Sequence, residues 1–260
     1  MEITEFVETL RLDGGLLADA AEEAGLDATI PACPDWQVRD LLTHVGRVHR
    51  WAARTVTQGA QQPTRPDAAP ELSDDQLVDW LREGHHELVL ALHAAPRDLA
   101  AWSFLPAPSP LAFWARRQAH ETSVHRVDAQ QAAGASLTPL PAAFAADGID
   151  ELLTGLHSLE RSQLRTEVPR TLRVRTTNAR GAEWTVHLSD ATPRTVRTPV
   201  PGSGADAGEA AADAAKPADC TIEGPAEELY LALWNRLPWD AMTVTGDPAL
   251  IDLWRERAGI

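Results

Sequence analysis

LAFWARRQAHETSVHRVDAQQA, residues 111–132, is the most informative stretch of the chain, because it combines the packing pattern of a helix with the chemistry of a site. The segment follows a proline-rich connector at 95–110 and is predicted to be helical throughout. At about 100° per residue, Glu121 and His125 fall on the same face as Trp114, and this face is predicted to turn into a bundle. Titratable groups on such a face are costly unless they are paired or bind a cation. The opposite side of the helix is predicted to carry the polar residues Arg116, His120, Arg126 and Gln130.

Three further helices are predicted upstream of this segment. Apolar residues recur at three- and four-residue steps over residues 3–24. A second helix follows Asp35, its predicted N-cap, and runs to about Gln58. A third helix opens at a capping box made by Ser73 and Gln76. Four helices joined by loops, one of them long, predict a helical bundle.

The pattern changes near residue 140, and two domains are predicted: a bundle at 1–138 and a small α+β domain at 139–260. TLRVRTT (171–177) and EWTVHLS (183–189) alternate apolar and polar residues around a turn signal, which predicts a β-hairpin. Low-complexity residues 199–217 predict a flexible surface loop. The remaining predicted elements are a helix within 141–164, a strand around 220–222, a helix at 225–236, a strand at 241–245 and a helix at 248–258.

The composition excludes several classes of function. Lys and Arg number 23 against 38 Asp and Glu, for a net charge of −15, so the chain lacks the basic footprint of a nucleic-acid-binding protein. No apolar run is long enough for a membrane helix and no signal peptide is visible, so neither a membrane partner nor export is expected. With only Cys33 and Cys220, no disulfide framework is expected and a cytoplasmic location is the default. Lys216 is the single lysine among abundant Arg and Ala, a bias typical of high-GC bacteria such as actinobacteria.

His44 on the second helix offers a third ligand. It borders the apolar stripe of that helix, so a bundle can bring it to Glu121 and His125. Three N/O ligands with an open fourth position are typical of catalytic divalent-metal sites, with zinc the default metal. Plainer interpretations exist, because Glu121 can pair with Arg117 one turn earlier and His44 can be a hydrogen-bonded core histidine. Alternative ligands on the third helix are His86 and His93.

The segments CPDWQVRDLLTHVGRVHRWA (33–52) and ARRQAHETSVHRVDAQ (115–130) resemble the two signature segments of the mycothiol-dependent maleylpyruvate isomerase family, one of the DinB-like metal-binding bundles. The likeness continues through AADGIDELL (145–153) and GPAEELYLALWNRLPWDAMTVTGDPALIDLW (224–254), so it covers nearly the whole chain. The resemblance implies a DinB-like four-helix bundle followed by an α+β domain similar to sterol-carrier folds.

The same resemblance implies which residues bind the metal and the substrate. The family's ligand positions are His44, Glu121 and His125 in this sequence, the residues that the helical geometry also selects. In the family, an arginine of the C-terminal domain, which closes over the metal, meets the substrate, and Arg236 is its best match here. The alternative for Arg236 is a cation that complements the dipole at a helix C-terminus.

The resemblance also names the thiol. A bound zinc lowers the pKa of a thiol in its open position, and because Cys33 and Cys220 are predicted to be structural, an external thiol is needed. The family implies mycothiol, presented as thiolate to a small electrophile. The enzyme is an S-transferase if the adduct is kept, and a cis–trans isomerase if the adduct rotates and expels the thiol. Two alternatives stay open: a non-catalytic metal- or ligand-binding module, and a metallohydrolase that needs no thiol.

Four further residues are candidates for the site. Asp128, a candidate catalytic residue with Arg236, is predicted either to orient a ligand or the thiol, or to be a surface acid paired with arginine. Arg117 is predicted to hold a substrate carboxylate, unless it forms an intrahelical pair. Trp36 and Trp114 are candidates for contact with substrate, with helix packing as the alternative.

Overall fold

The computed structural model describes residues 1–179, 182–198 and 216–259. The chain separates into two compact units, Met1–Thr138 and Pro139–Ile260. The first unit is largely helical and the second combines helices with a sheet, which confirms the predicted fold class. Within the described ranges, no helix has both the length and the apolar character that a membrane span requires.

The first unit contains four long helices and a short hairpin. Its elements are α1 (Ile3–Ala24), β1 (Thr29–Ile30), β2 (Cys33–Gln37), α2 (Val38–Gln58), α3 (Asp74–Ala94) and α4 (Pro110–Ala132). The four helices predicted from the sequence are therefore confirmed. Their apolar stripes meet in a core of buried aliphatic side chains, among them Leu17, Leu41 and Leu81.

The starts of α3 and α2 test the two helix caps predicted from the sequence. The capping box of Ser73 and Gln76 is confirmed, since the Ser73 N–H donates to Gln76 Oε1 at 3.1 Å. The predicted N-cap at Asp35 is wrong. Asp35 lies within β2, and α2 is capped by Gln37, whose N–H donates to Asp40 Oδ2 at 2.9 Å. Pairing of β2 with β1 keeps the backbone extended as far as Gln37.

Helix α4 is buried on nearly all sides. The prediction that one side alone turns into the bundle is wrong, because His120 and Arg126 on the other side are fully buried as well. Helix α1 supplies partners there: the His120 ring meets Phe6 edge-on at 5.9 Å between centroids, and Arg126 Nε lies 3.4 Å from Asp13 Oδ1. A helical wheel identifies the most apolar side of a helix, but it does not count the neighbours that will cover the others.

A hydrogen-bond network fastens the end of the first unit to α4. Arg126 Nη1 donates to the Thr138 carbonyl oxygen and to Gln130 Oε1, both at 2.8 Å. Gln130 accepts from the Thr138 N–H at 3.1 Å and donates from Nε2 to Thr138 Oγ1 at 2.8 Å. Thr138 lies beyond the end of α4, yet it satisfies polar groups of that helix that are shielded from water.

Helices α2 and α3 approach each other closely at two glycines. A Cβ atom at Gly46 would lie 2.2 Å from the Trp80 ring, and one at Gly84 would lie 2.1 Å from Arg50 Nη1. The Arg50 guanidinium stacks on Trp80, 4.2 Å from the ring centroid. The two glycines therefore make room for the two large side chains that lie between the helices.

The second unit is built on a five-stranded mixed sheet. Its elements are α5 (Ala142–Asp150), a π-helical turn (Glu151–Gly155), a 3₁₀ turn (Leu156–Ser158), β3 (Arg170–Thr176), β4 (Glu183–Leu188), β5 (Arg194–Thr198), β6 (Cys220–Gly224), α6 (Ala226–Leu233), a second 3₁₀ turn (Trp239–Ala241), β7 (Thr243–Gly246) and α7 (Ala249–Arg257). The strand order is β5-β4-β3-β6-β7, with β3 and β6 parallel and the other neighbours antiparallel.

The predicted hairpin of this unit is confirmed as β3 and β4, in which Val174 faces Trp184. Strand β5, at the edge of the sheet, is not anticipated by the sequence pattern. The helix predicted at 225–236 ends at Leu233, because Asn235 takes a φ of 59° that a continuing helix excludes. The predicted flexible loop at 199–217 lies outside the described residues up to residue 215.

One face of this sheet forms the core of the second unit. Successive strand residues point to opposite faces, and the inward set is fully buried. This set comprises Leu172, Val174, Trp184, Val186 and Ile222. Trp184 reaches the end of α5, where its Nε1 donates to Asp150 Oδ1 at 2.9 Å.

Candidate metal centre

The structure brings the three predicted ligands together on two neighbouring helices. His44 lies on α2, and Glu121 and His125 lie one turn apart on α4. His44 Nε2 is 3.0 Å from Glu121 Oε1, and His125 Nε2 is 3.5 Å from the same oxygen. One ligand atom from each residue lies within 4.8 Å of the others, a grouping that no other His, Cys, Asp and Glu side chains in the described residues form. The alternative ligands His86 and His93 are exposed and outside it.

These separations fit a small divalent cation. In a tetrahedral zinc site with bonds of about 2.0–2.1 Å, neighbouring ligand atoms lie about 3.3 Å apart. The two separations between a histidine nitrogen and Glu121 Oε1 are 3.0 and 3.5 Å. Two imidazoles and a carboxylate are a donor set that zinc accepts. The side chains of His44 and Glu121 are 36% and 20% exposed, so the group is partly accessible to solvent.

Asp128 is hydrogen-bonded to His125. The Asp128 carboxylate is fully buried, and its Oδ2 lies 2.9 Å from His125 Nδ1. A hydrogen bond there leaves Nε2 facing Glu121, as in metal sites where a carboxylate fixes a histidine ligand. Burial opposes a charge on this ring, but hydrogen bonds to Asp128 and Glu121 outweigh it and raise the pKa of His125 to about 9. The burial excludes the interpretation of Asp128 as a surface acid.

Arg117 neutralises Glu121 from the protein side. Its Nη2 donates to Glu121 Oε2 at 2.9 Å, while Oε1 faces the two histidines. Burial alone would raise the pKa of Glu121, yet hydrogen bonds from His125 and His44, with the charge of Arg117, hold this pKa well below its ordinary value. The structure thus shows the intrahelical pair that the sequence permits for Arg117. Contact between Arg117 and a substrate carboxylate stays a prediction.

The two candidate tryptophans have different surroundings. Trp36, from β2, lies beside the ligand group, with its ring centroid 5.2 Å from that of His44 and 6.4 Å from that of His125. Trp114 is fully buried and packs edge-on against Trp51 with centroids 5.0 Å apart. Trp36 therefore forms a wall of the candidate centre, whereas the observed contacts of Trp114 are packing contacts. Substrate contact stays a prediction for both.

A further buried histidine lies against the same turn of α4. His49 is fully buried, and its Nε2 lies 2.8 Å from Thr122 Oγ1, next to Glu121 in the chain. Burial, with the neighbouring His85, holds the pKa of His49 well below its ordinary value, so the ring is neutral at physiological pH. The helical wheel places His49 away from the His44 side of α2, and it gives no signal for a contact that depends on the packing of α4.

The cysteines are not among the grouped ligands, and Arg236 belongs to the second unit. Arg236 follows α6, and its Nη1 donates to the Trp234 carbonyl oxygen at 2.7 Å. Arg236 thus lies at the end of a helix, as the alternative interpretation of a cation near a helix C-terminus requires. Contact between Arg236 and substrate stays a prediction. Cys220 is buried in β6, and burial raises the pKa of its thiol to about 11. Cys33 is half-buried in β2.

The fold and this group together define a class of protein: a helical bundle with a candidate metal centre, followed by an α+β unit. Residues 9–130 match the family model of the mycothiol maleylpyruvate isomerase N-terminal domain, and residues 143–253 match that of the MDMPI C-terminal domain. The chain therefore belongs to the mycothiol maleylpyruvate isomerase family, which confirms the resemblance of its signature segments.

Two solved structures share this fold. Both are of a mycothiol-dependent maleylpyruvate isomerase, one of them a single-residue mutant, with TM-scores of 0.60 and, for the mutant, 0.61. Each is 13% identical to this chain, and each match covers 94% of this chain and 93% of the other. At this identity the likeness establishes the fold. No curated protein matches the chain.

Proposed function

We propose that this protein is a metal-dependent enzyme that activates the thiol of mycothiol for attack on a small electrophile. The observation that carries the proposal is the convergence of His44, Glu121 and His125, with separations of 3.0 and 3.5 Å, in a chain of this family. The solved relatives are mycothiol-dependent, which supports the same thiol here. Zinc, if held by these residues, would lower the pKa of a thiol bound to it, so that the thiol would be ionised at neutral pH.

The chain's own residues have separate tasks in this proposal. Asp128 holds the His125 ring so that Nε2 faces the centre, and Arg117 binds one oxygen of Glu121 and leaves the other for the centre. Trp36 covers one side of the two imidazoles and limits the access of water. The thiol comes from outside the chain, because burial keeps Cys220 protonated and Cys33 is not among the grouped ligands.

The same first step leads to two products. The thiolate sulfur bonds to an electrophilic carbon, and the electron pair of the bond that opens moves onto the substrate. If that bond is a carbon–carbon double bond, rotation and expulsion of the thiolate give the trans isomer and restore mycothiol. If the adduct takes up a proton or loses a leaving group, the product is a mycothiol conjugate. Arg236, on the family resemblance, is proposed to contact the substrate.

Metal content is the first test. Wild type, Glu121→Ala and His125→Ala are supplied with zinc, dialysed and measured by elemental analysis. His86→Ala, which changes an exposed histidine of α3, is the matched control. We expect about one metal ion per chain in the wild type and the control, and loss of the metal in both ligand variants. A wild type that stays empty after zinc is supplied would overturn the proposal.

Product analysis is the second test. Zinc-loaded protein is incubated with mycothiol and a panel of electrophiles, and the thiol and the products are followed by mass spectrometry. Stoichiometric loss of mycothiol identifies a transferase, and cis–trans conversion with mycothiol recovered identifies an isomerase. Bound metal without thiol-dependent turnover would favour a binding module instead, and turnover with metal alone would identify a metallohydrolase.

A further inference from the structure

A cavity of about 300 Å³ lies along α2, beyond the candidate metal centre. Three arginines, two indoles and one carboxylate line it: Arg47, Arg50, Arg54, Trp51, Trp80 and Asp67. In a chain with a net charge of −15, three cations around one cavity reverse the local sign of the charge. Arg47 and Trp51 follow His44 by three and seven residues, so they share its face of α2 and the cavity begins about one turn beyond it.

Among the described residues, no carboxylate forms an ion pair with Arg47, in contrast to the other two arginines of this cavity. Arg54 pairs with the Asp67 carboxylate, and Arg50 lies 3.8 Å from the exposed Glu83. Arg47 donates from Nε to the Asp67 backbone oxygen at 2.6 Å, and its terminal nitrogens form no ion pair with a carboxylate of the described residues. A guanidinium fork in this state can bind a carboxylate or phosphate through two parallel hydrogen bonds.

The other walls of the cavity are fixed by contacts within the protein. Arg50 stacks on the Trp80 ring and donates from Nη2 to the Trp80 carbonyl oxygen at 2.6 Å. The two glycines between α2 and α3 give these side chains their room. Trp51 Nε1 donates to Thr64 Oγ1 at 2.8 Å. Walls that are ordered before a ligand arrives lose little conformational entropy when it binds.

We propose that this cavity binds a small planar organic anion, with its carboxylate or phosphate on Arg47 and its flat body against Trp51 and Trp80. The charge comes from the unpaired guanidinium, and indole faces favour a flat apolar partner. The volume of about 300 Å³ is at the lower end for ligand pockets, which suits one ring system rather than a large cofactor.

The cavity places the two ends of the proposed anion at different distances from His44. The headgroup on Arg47 lies about one helical turn from His44, and the flat body against Trp51 lies on the far side of Arg47 from His44. Binding of the anion at Arg47 does not depend on metal or thiol, so it can be tested by itself.

The test is calorimetric titration of the full chain with naphthoate, with naphthyl phosphate and with the neutral naphthamide, in both zinc-loaded and chelator-treated protein. We expect saturable binding of one anion per chain in both forms, and binding of naphthamide weaker by about tenfold or more, because charged hydrogen bonds are lost. The better of the two anions identifies the headgroup that the cavity prefers.

Substitutions locate the site. Arg47→Gln keeps most of the stem and removes the charge, and we expect it to weaken naphthoate binding about tenfold or more. Arg47→Lys keeps the charge without the fork and should give an intermediate affinity. Arg39→Gln is the control, because Arg39 is also on α2 but pairs with Asp27 and Asp74 outside the cavity. Thermal unfolding verifies that each variant is folded.

Three results would overturn the inference: no saturable naphthoate binding to wild type, equal binding of naphthamide, or wild-type affinity in a folded Arg47→Gln variant. Anion binding that requires zinc and disappears in Glu121→Ala would place the anion on the metal and would also overturn it. Absence of metal in the wild type would refute the proposed function, while metal-independent anion binding would leave this inference standing.

Discussion

The buried carboxylate of Asp128 offers a direct way to perturb the candidate metal centre without touching a ligand. Its Oδ2 lies 2.9 Å from His125 Nδ1, and only 1% of the Asp128 side chain is exposed. Asp128→Asn keeps the volume and one acceptor oxygen, but it removes the negative charge behind the imidazole. A less polarised imidazole is a weaker donor to a cation at Nε2.

The expected size of the effect follows from this geometry. Loss of such an outer carboxylate costs about 10–100-fold in metal affinity, equivalent to about 1.4–2.8 kcal/mol. The amide oxygen of asparagine can still accept the His125 N–H, so the loss belongs near the lower limit. We therefore expect the zinc affinity of Asp128→Asn to be about tenfold weaker than that of the wild type.

Competition with a chelator of known zinc affinity measures this difference. Asp13→Asn is the matched control, because Asp13 is also a buried acid against α4 but its partner is Arg126. We expect Asp13→Asn to lower stability and to leave zinc affinity unchanged. Equal zinc affinity in wild type and folded Asp128→Asn would refute the reasoning, and so would an equal loss in Asp13→Asn.

Three further outcomes are expected. Burial holds the pKa of His157 at about 4, below about 6.5 in an unfolded chain, so the unfolded state takes up the proton first as the pH falls. The contribution of His157 to the free energy of unfolding should drop by about 3 kcal/mol from about pH 6.5 to about pH 4, so urea unfolding of His157→Gln should show a flatter pH dependence than that of the wild type. Gly46→Ala places a methyl group 2.2 Å from the Trp80 ring and should lower the free energy of unfolding by about 1–3 kcal/mol. Gly15→Ala is the control, because nothing lies within 4 Å of the new atom; it should raise the free energy of unfolding by up to about 1 kcal/mol. Equal stability of the Gly46→Ala and Gly15→Ala variants would contradict the close packing of α2 on α3. Burial raises the pKa of Cys220 to about 11, so its thiol should react with a thiol reagent only after unfolding, and rapid labelling of the native protein would contradict this.

The helices of the bundle could be predicted from their apolar spacing, whereas one helix start could not. Ser73 caps α3 because Gln76 stands at the reciprocal position three residues later. Asp35 has the right side chain for a cap, but pairing between β1 and β2 extends the backbone past it and gives the role to Gln37. The N-cap is the last extended residue before a helix, and the pairing of β2 with β1 makes Gln37 that residue.

Part of the candidate site could likewise be predicted from local sequence spacing, whereas the rest depends on how distant segments pack. Glu121 and His125 are four residues apart and therefore lie on one face of a helix, and this can be read from the sequence alone. Their meeting with His44 depends on how α2 packs on α4; the helical geometry of α2 made His44 a candidate partner, and the family resemblance pointed to the same residue. Trp114 shares the ligand face on a helical wheel, yet aromatic side chains from elsewhere in the unit bury it.

The arginine cavity was not predicted, although its signal is present in the sequence. Arg47, Arg50 and Arg54 follow one another at three- and four-residue steps on α2, a pattern that normally indicates a solvated helix face. Here Asp67 from the following loop and Trp80 from α3 enclose them. Because these enclosing segments are distant in the sequence, a local pattern cannot predict that the charged face of α2 lines a cavity.

The contacts of Thr138 with α4 decide where this chain can be divided. A fragment that stops at Ala132, the last residue of α4, lacks the partners that Thr138 gives to Arg126 and Gln130. Arg126 Nη1 and Gln130 Oε1 then keep only each other, and Gln130 Nε2 loses its partner, which costs about 1–3 kcal/mol, a large share of a domain's stability. A fragment that ends after Thr138 keeps all three hydrogen bonds. For separate production of the bundle, the fragment should therefore extend into the connector and not stop where the last helix stops.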